Sequence, residues 1–188
     1  MKKRSPYRDL AMTQGAIAIV LFLMIPLANT FAPAGAHRLA GVLHGLGASL
    51  TLLVATYMWH AYYSFARGRD QAASVLAWRL LMTNVLAAAT VVAGNWLYIG
   101  YQAPDGASEW FKLHTPFAHW VVMEYKEFVS LMTLPFGIGA NVLLRRCVSG
   151  GSCSEEMKRT IGVLLTLMWL CLLIGFAFGL MLAKWKLA

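Results

Sequence analysis

The chain has 188 residues, of which 59% are hydrophobic and only 13% are charged, and its formal net charge is +8. Its mean hydropathy of +0.60 lies outside the usual range for a soluble domain, so the composition predicts an integral membrane protein. The basic residues are scattered over several loops and form no continuous stripe, which disfavours nucleic-acid binding.

Five apolar stretches are long enough to cross the roughly 30 Å hydrocarbon core of a bilayer as helices. They cover residues 12–31, 39–63, 74–101, 116–144 and 160–183. The segments between them are short and leave no room for a soluble catalytic module. The sequence therefore predicts a single all-α domain over residues 1–188, a polytopic membrane bundle of five transmembrane helices surrounded by the lipid bilayer.

The basic residues also predict the orientation of this bundle, because short cytoplasmic loops carry an excess of lysine and arginine. One side of the five spans has Lys2, Lys3, Arg4, Arg8, Arg67, Arg69, Arg79, Arg145, Arg146, Lys158 and Arg159, whereas the other side has Arg38, Lys112, Lys184 and Lys186. This bias predicts a cytoplasmic N-terminus and an external, periplasmic C-terminus. The expected location is a bacterial inner membrane.

The N-terminal segment has a second interpretation. The basic N-terminus and the apolar run up to Ala34-Gly35-Ala36 also resemble a cleavable signal peptide. We favour a retained helix because the apolar run is long enough to span the bilayer.

Cys147 and Cys153 lie in a loop predicted to be cytoplasmic, so we expect free thiols and no stable disulfide.

The second predicted span contains two histidines, His37 and His44, seven residues apart. Seven steps of about 100° return to within about 20° of the same helix face, so both imidazoles lie on one stripe. His44 is surrounded by small residues, among them Gly41, Gly45 and Gly47. Such residues either let helices pack closely or make room for a flat cofactor beside its ligand.

The fourth predicted span begins near His114 and His119. The second and fourth spans run in the same direction, so His44 and His119 are expected at a similar depth. Two imidazoles on separate helices can occupy the opposite axial positions of one haem iron, and we prefer His44 with His119 as this pair. His37 and His114 are alternative ligands, or residues that contact the haem propionates.

Three ionisable residues, Glu124, Lys126 and Glu127, follow His119 within the same span. Such side chains are costly in a membrane unless they are paired or face a wet cavity. The helical wheel places Lys126 near the His119 face, where it can pair with a carboxylate or a haem propionate. The two acids can transfer protons to or from a bound quinone, ligate a metal, or form a salt bridge that only fixes helix packing.

Asn95 and His60 are two further polar residues within the spans. The Asn95 amide is expected to hydrogen-bond a partner helix or the cofactor. His60 is 16 residues from His44, about 24 Å along the helix axis. The sequence has no second histidine at the depth of His60, which excludes a second bis-histidine haem there.

With His44 in its glycine-rich setting and His119 on another helix, the chain resembles the small membrane-integral b-type cytochromes over its second to fourth spans. The resemblance implies one haem b or two near the external face. It also implies electron transfer between a quinone and a periplasmic redox protein or a larger membrane complex, as in a redox subunit of a quinol-linked oxidoreductase. No specific family signature accompanies it.

Two other classes of function stay open at this point. The histidines at positions 37, 44, 114 and 119 could bind a non-haem metal together with Glu124 and Glu127, for catalysis or transport. Alternatively, the chain is a non-catalytic subunit whose polar residues only fix packing within a membrane complex.

Overall fold

The computed structural model describes residues 6–31, 37–104, 106–151 and 153–187. Its helices are α1 (Pro6–Phe31), α2 (His37–Ala66), α3 (Asp70–Tyr101), α4 (Ala107–His114), a π-helical segment (Ala118–Met123), α5 (Glu124–Ser149) and α6 (Glu155–Leu187). The prediction of an all-α protein is confirmed.

Four helical segments of the described residues are long and apolar enough to cross a membrane. They are His37–Ala66, Gln71–Tyr101, Ala118–Ser149 and Glu155–Trp185. These segments contain three of the last four predicted spans and all but the first two residues of the span at 116–144. The first predicted span falls within α1. Residues 1–5 and 32–36, including three of the N-terminal basic residues and the alternative cleavage site, lie outside the described residues, and the five-span count stays a prediction.

The long helices pack mainly as two pairs, α2 with α3 and α5 with α6, and α3 also packs on α5. Gly68, in the short connection between α2 and α3, has a φ of 78°, and its N–H donates to the Phe65 carbonyl at 3.0 Å. A glycine at this position ends a helix without the steric cost that a side chain would impose. The short connection makes α2 and α3 antiparallel neighbours.

The bundle has two chemically different ends. At the arginine end, defined by residues 66–70 and 149–155, fully buried side chains such as Met58, Leu76, Leu144 and Leu165 form the main apolar core. At the histidine end, defined by the start of α2, residues 101–118 and the end of α6, a smaller cluster contains Phe111, Val122 and Leu182. Helix α4 lies in a segment that was predicted to be a loop, and it contributes Phe111 to this second cluster.

The expectation of free thiols at Cys147 and Cys153 is wrong in this structure, because a disulfide joins them. Gly151 has a φ of 73° and turns the chain after α5, so the two Cα atoms come within 4.7 Å. The expectation depended on the predicted compartment, whereas the contact depends on this local turn. Disulfides persist in oxidising compartments, so this bond and the basic-residue bias favour opposite orientations.

A C-terminal reporter that is active only in the cytoplasm decides between these orientations. The basic-residue bias predicts that the reporter is silent, because the C-terminus is then external. The same reporter fused after residue 66 should be active and serves as the control. Strong activity at the C-terminus would contradict the predicted orientation and would place the disulfide on the oxidising side.

Candidate functional site

A polar cavity lies between α2, α3, α5 and α6. Its volume is about 130 Å³, and its polar lining includes His44, Asn95, Tyr98, Lys126, Glu127 and Ser130. Three of the lining side chains are ionisable, which is costly within membrane-spanning helices and is typical of a functional site.

His44 is held in one orientation against α3. Its Nδ1–H donates to the backbone carbonyl of Thr90 at 3.0 Å. A carbonyl accepts but cannot donate, so this bond selects the tautomer with the proton on Nδ1 and leaves the Nε2 lone pair for another partner. Metal-binding histidines commonly have such an oxygen partner on the second ring nitrogen.

Glycines of α3 provide the space for the histidines of α2. A Cβ placed on Gly94 would lie 2.8 Å from Cε1 of His44, and one on Gly100 would lie 2.5 Å from Cγ of His37. By contrast, a Cβ on Gly45 would contact nothing within 4 Å. The glycines beside His44 were expected to allow close helix packing or to make room for a cofactor, whereas the glycines that make room for the imidazoles lie on α3.

His119 lies in the π-helical segment and is only 3% exposed. A hydrogen bond of 2.7 Å joins its Nδ1 to the hydroxyl of Tyr101, and the two rings stack with centroids 5.8 Å apart. The Trp120 ring packs against it edge-on at 4.5 Å. His119 is not among the residues that line the cavity, so the structure does not bring it and His44 to one common space.

The two alternative histidines have different surroundings. His114 is exposed, its Nδ1–H donates to the Trp110 carbonyl at 2.9 Å, and the two rings stack. The Nδ1 atom of His37 is buried and has no hydrogen-bond partner among the described residues. Of the pair, only His114 therefore has a fixed tautomer, and it lies on the short helix α4.

The structure separates the three ionisable residues that follow His119. Lys126 and Glu127 line the cavity, whereas Glu124 is exposed on the bundle surface. Within the described part of the chain, no carboxylate lies within 4 Å of the Lys126 ammonium. The internal salt bridge, which was one of the alternatives for these residues, is therefore not formed among the described residues. The cavity thus contains a cationic side chain whose charge no direct ion pair compensates.

Asn95 lines the same cavity, but its Nδ2 donates to the Val91 carbonyl of its own helix at 2.9 Å. This bond within α3 forms because the carbonyl four residues earlier is within reach of the amide, and the expected bond to a partner helix stays a prediction. Contact between Asn95 and a cofactor stays a prediction. His60 is exposed and lies near the arginine end, beside the Tyr57 ring.

The described residues contain no cluster of three or more His, Cys, Asp or Glu side chains that could hold a metal ion. The non-haem site expected from four histidines and two glutamates is thus not assembled in this part of the chain. A haem iron differs because it needs only two axial protein ligands.

Comparisons with known proteins give no relative for this chain. No family model, no curated protein and no solved structure matches it.

Replacement of Gly94 by alanine tests how His44 is seated. The added methyl group would overlap the imidazole, and such overpacking costs about 1–3 kcal/mol. For a chain of this size, that loss lowers the melting temperature in detergent by roughly 2–4 °C per kcal/mol. The control, Gly45→Ala, adds a methyl group in open space and should not lower it. Equal melting temperatures for the two variants would contradict this placement of His44.

Proposed function

We propose that this protein is a membrane-embedded electron-transfer subunit of the b-type cytochrome kind, with His44 and His119 as the axial ligands of one haem b. Its partners are a membrane quinone and a redox protein on the external side of a bacterial inner membrane. The four apolar helices support the membrane location, and the histidine geometry supports the choice of ligands.

One observation carries the choice of His44 and His119. In each ring, Nδ1 is bonded to an oxygen atom, the Thr90 carbonyl at 3.0 Å and the Tyr101 hydroxyl at 2.7 Å. The Thr90 carbonyl fixes the proton of His44 on Nδ1, and the Tyr101 hydroxyl can accept from Nδ1–H of His119. With the proton on Nδ1, the hydrogen bond orients the ring and increases the basicity of Nε2, the atom that would bind iron. His37 has no such partner in the described structure, and His114 has one but is exposed.

The histidine nitrogens suit a haem iron, but the cavity beside His44 is too small for a porphyrin. The cavity beside His44 has about 130 Å³, whereas sites for organic ligands usually measure about 300–1,000 Å³. His119 also lies outside the lining of this cavity. A porphyrin held by both rings therefore requires the surrounding helices to move apart relative to this structure. When bound, the haem supplies one-electron chemistry.

Lys126 and Glu127 support the link to a quinone. Reduction of a quinone consumes protons, and a carboxylic acid in a membrane cavity can hold and release a proton. The Lys126 ammonium can donate a hydrogen bond to a quinone oxygen or to a propionate. Both side chains face the cavity that His44 also lines, so proton-exchanging groups lie beside a proposed iron ligand.

An absorption spectrum of the purified protein tests the proposal. A Soret band with reducible α and β bands supports it. Bound metal without a Soret band would replace it with the non-haem metal function. If protein expressed with an adequate haem supply contains neither haem nor metal, the remaining interpretation is a non-catalytic subunit of a membrane complex.

A further inference from the structure

A long groove lies between α1, α3 and α5, and it shares no lining residue with the polar cavity. Its volume is about 710 Å³. The α1 wall runs from Asp9 to Met24 and the α5 wall from Leu134 to Ser149. Fifteen residues at 1.5 Å each make the groove about 22 Å long. Half of the hydrocarbon core is only about 15 Å deep, so the groove reaches from the membrane surface past the midplane.

The groove is apolar along most of its length and charged at one end. Its apolar walls include Ile17, Val20, Leu21, Val85, Ala88 and Ile138. At the arginine end it is lined by Asp9, Arg145, Arg146 and Ser149. Two guanidinium groups and one carboxylate give this end a net positive charge. A molecule that matches both parts has an acyl chain and an anionic headgroup.

One of the two arginines is available for such a headgroup. Arg146 forms an ion pair with Asp9, which fastens α1 to α5. Arg145 lines the groove, is exposed, and has no ion-pair partner among the described residues. Gln14 gives α1 a second attachment, because its Nε2 donates to the Pro135 carbonyl at 2.9 Å. These two contacts fasten α1 to α5, and neither of them uses Arg145.

We propose that this groove binds an anionic phospholipid, with one acyl chain between α1, α3 and α5 and the phosphate on Arg145. Basic pockets between membrane helices are known to select anionic lipid headgroups. A planar guanidinium suits this role, since it can bind two phosphate oxygens at once. The site is separate from the proposed haem ligands, and it does not depend on the redox function.

Lipid binding to the full-length protein tests this proposal. The delipidated protein is titrated in detergent with dioleoyl phosphatidylglycerol, with dioleoyl phosphatidylcholine and with soluble glycerol phosphate, and bound lipid is counted by native mass spectrometry. We expect phosphatidylglycerol to bind at least about fivefold more tightly than phosphatidylcholine, and glycerol phosphate not to compete. Equal binding of the two lipids, or full competition by glycerol phosphate, would overturn the proposal.

Matched variants locate the site. Arg145→Gln should reduce the affinity for phosphatidylglycerol about fivefold and should reduce the affinity for phosphatidylcholine less, because the choline cation offsets the charge of its phosphate. The control, Arg159→Gln, removes an exposed charge that does not line the groove and should change neither affinity. Ala16→Phe fills the acyl part of the groove and should weaken the binding of both lipids. Identical effects of Arg145→Gln and Arg159→Gln would show that the lipid is attracted only by the general surface charge. Unchanged lipid binding by Ala16→Phe would exclude the groove as the binding site.

Discussion

Alanine in place of either His44 or His119 should reduce the bound haem b by at least tenfold. Loss of one of the two histidines would leave a bound iron with a single protein ligand, and even residues that only hydrogen-bond a metal ligand contribute about 10–100-fold to metal affinity. The measurement is the ratio of Soret to protein absorbance in the purified variants. Tyr101→Phe should have a smaller effect in the same direction, because it removes only the hydroxyl bonded to His119 Nδ1.

Two histidines provide the controls for this experiment. His60→Ala removes an exposed imidazole about 24 Å along α2 from His44, and His114→Ala removes one on the surface helix α4. Both variants should keep the haem content and the spectrum of the original protein. Normal haem content in His44→Ala and His119→Ala would refute the ligand assignment. Loss of haem only in His114→Ala would move the ligand from the π-helical segment to α4.

Hydrophobicity predicted the helices well because a membrane span needs a long apolar run, which a short window of sequence detects. The predicted spans at 39–63, 74–101 and 160–183 lie within helices of the structure, and the span at 116–144 begins two residues before its helical segment. The helices extend further than the apolar runs, for example to Ser149 and from Glu155, because backbone hydrogen bonding continues beyond the hydrocarbon core. Helix α4 was missed since its eight residues are too short for a span signal.

The geometry of the site was harder to predict because of the π-helical segment at Ala118–Met123. The helical wheel assumes 100° per residue, and on that basis Lys126 shares a face with His119. A π-helical turn inserts extra backbone and rotates the residues that follow it. Lys126 accordingly lines the cavity, whereas His119 does not. The pairing of Gly94 with His44 depends on the register between α2 and α3. A single sequence does not show which residues of two helices face each other.

Glu127→Gln should slow quinol-dependent reduction of the haem by at least tenfold. Glutamine keeps the shape and hydrogen-bonding capacity of the side chain but cannot exchange a proton, and general acid–base groups contribute about 10²–10⁴-fold to rates. Glu124 is exposed, only three residues away, so Glu124→Gln is the matched control and should keep the original rate. Equal rates for the original protein and Glu127→Gln would exclude proton transfer by this residue.

Lys126→Met should make the protein more stable in detergent while it slows the same reaction. The ammonium lies in a membrane cavity without an ion-pair partner in the described structure, and its desolvation costs several kcal/mol. Methionine fills a similar volume without that cost, so we expect the melting temperature to rise by several degrees. If Lys126 instead serves only to neutralise Glu127, its removal leaves an unpaired carboxylate, and the melting temperature should fall. A fall in stability with unchanged turnover would assign Lys126 to packing, whereas higher stability with slower reduction is the expected behaviour of a residue kept for binding.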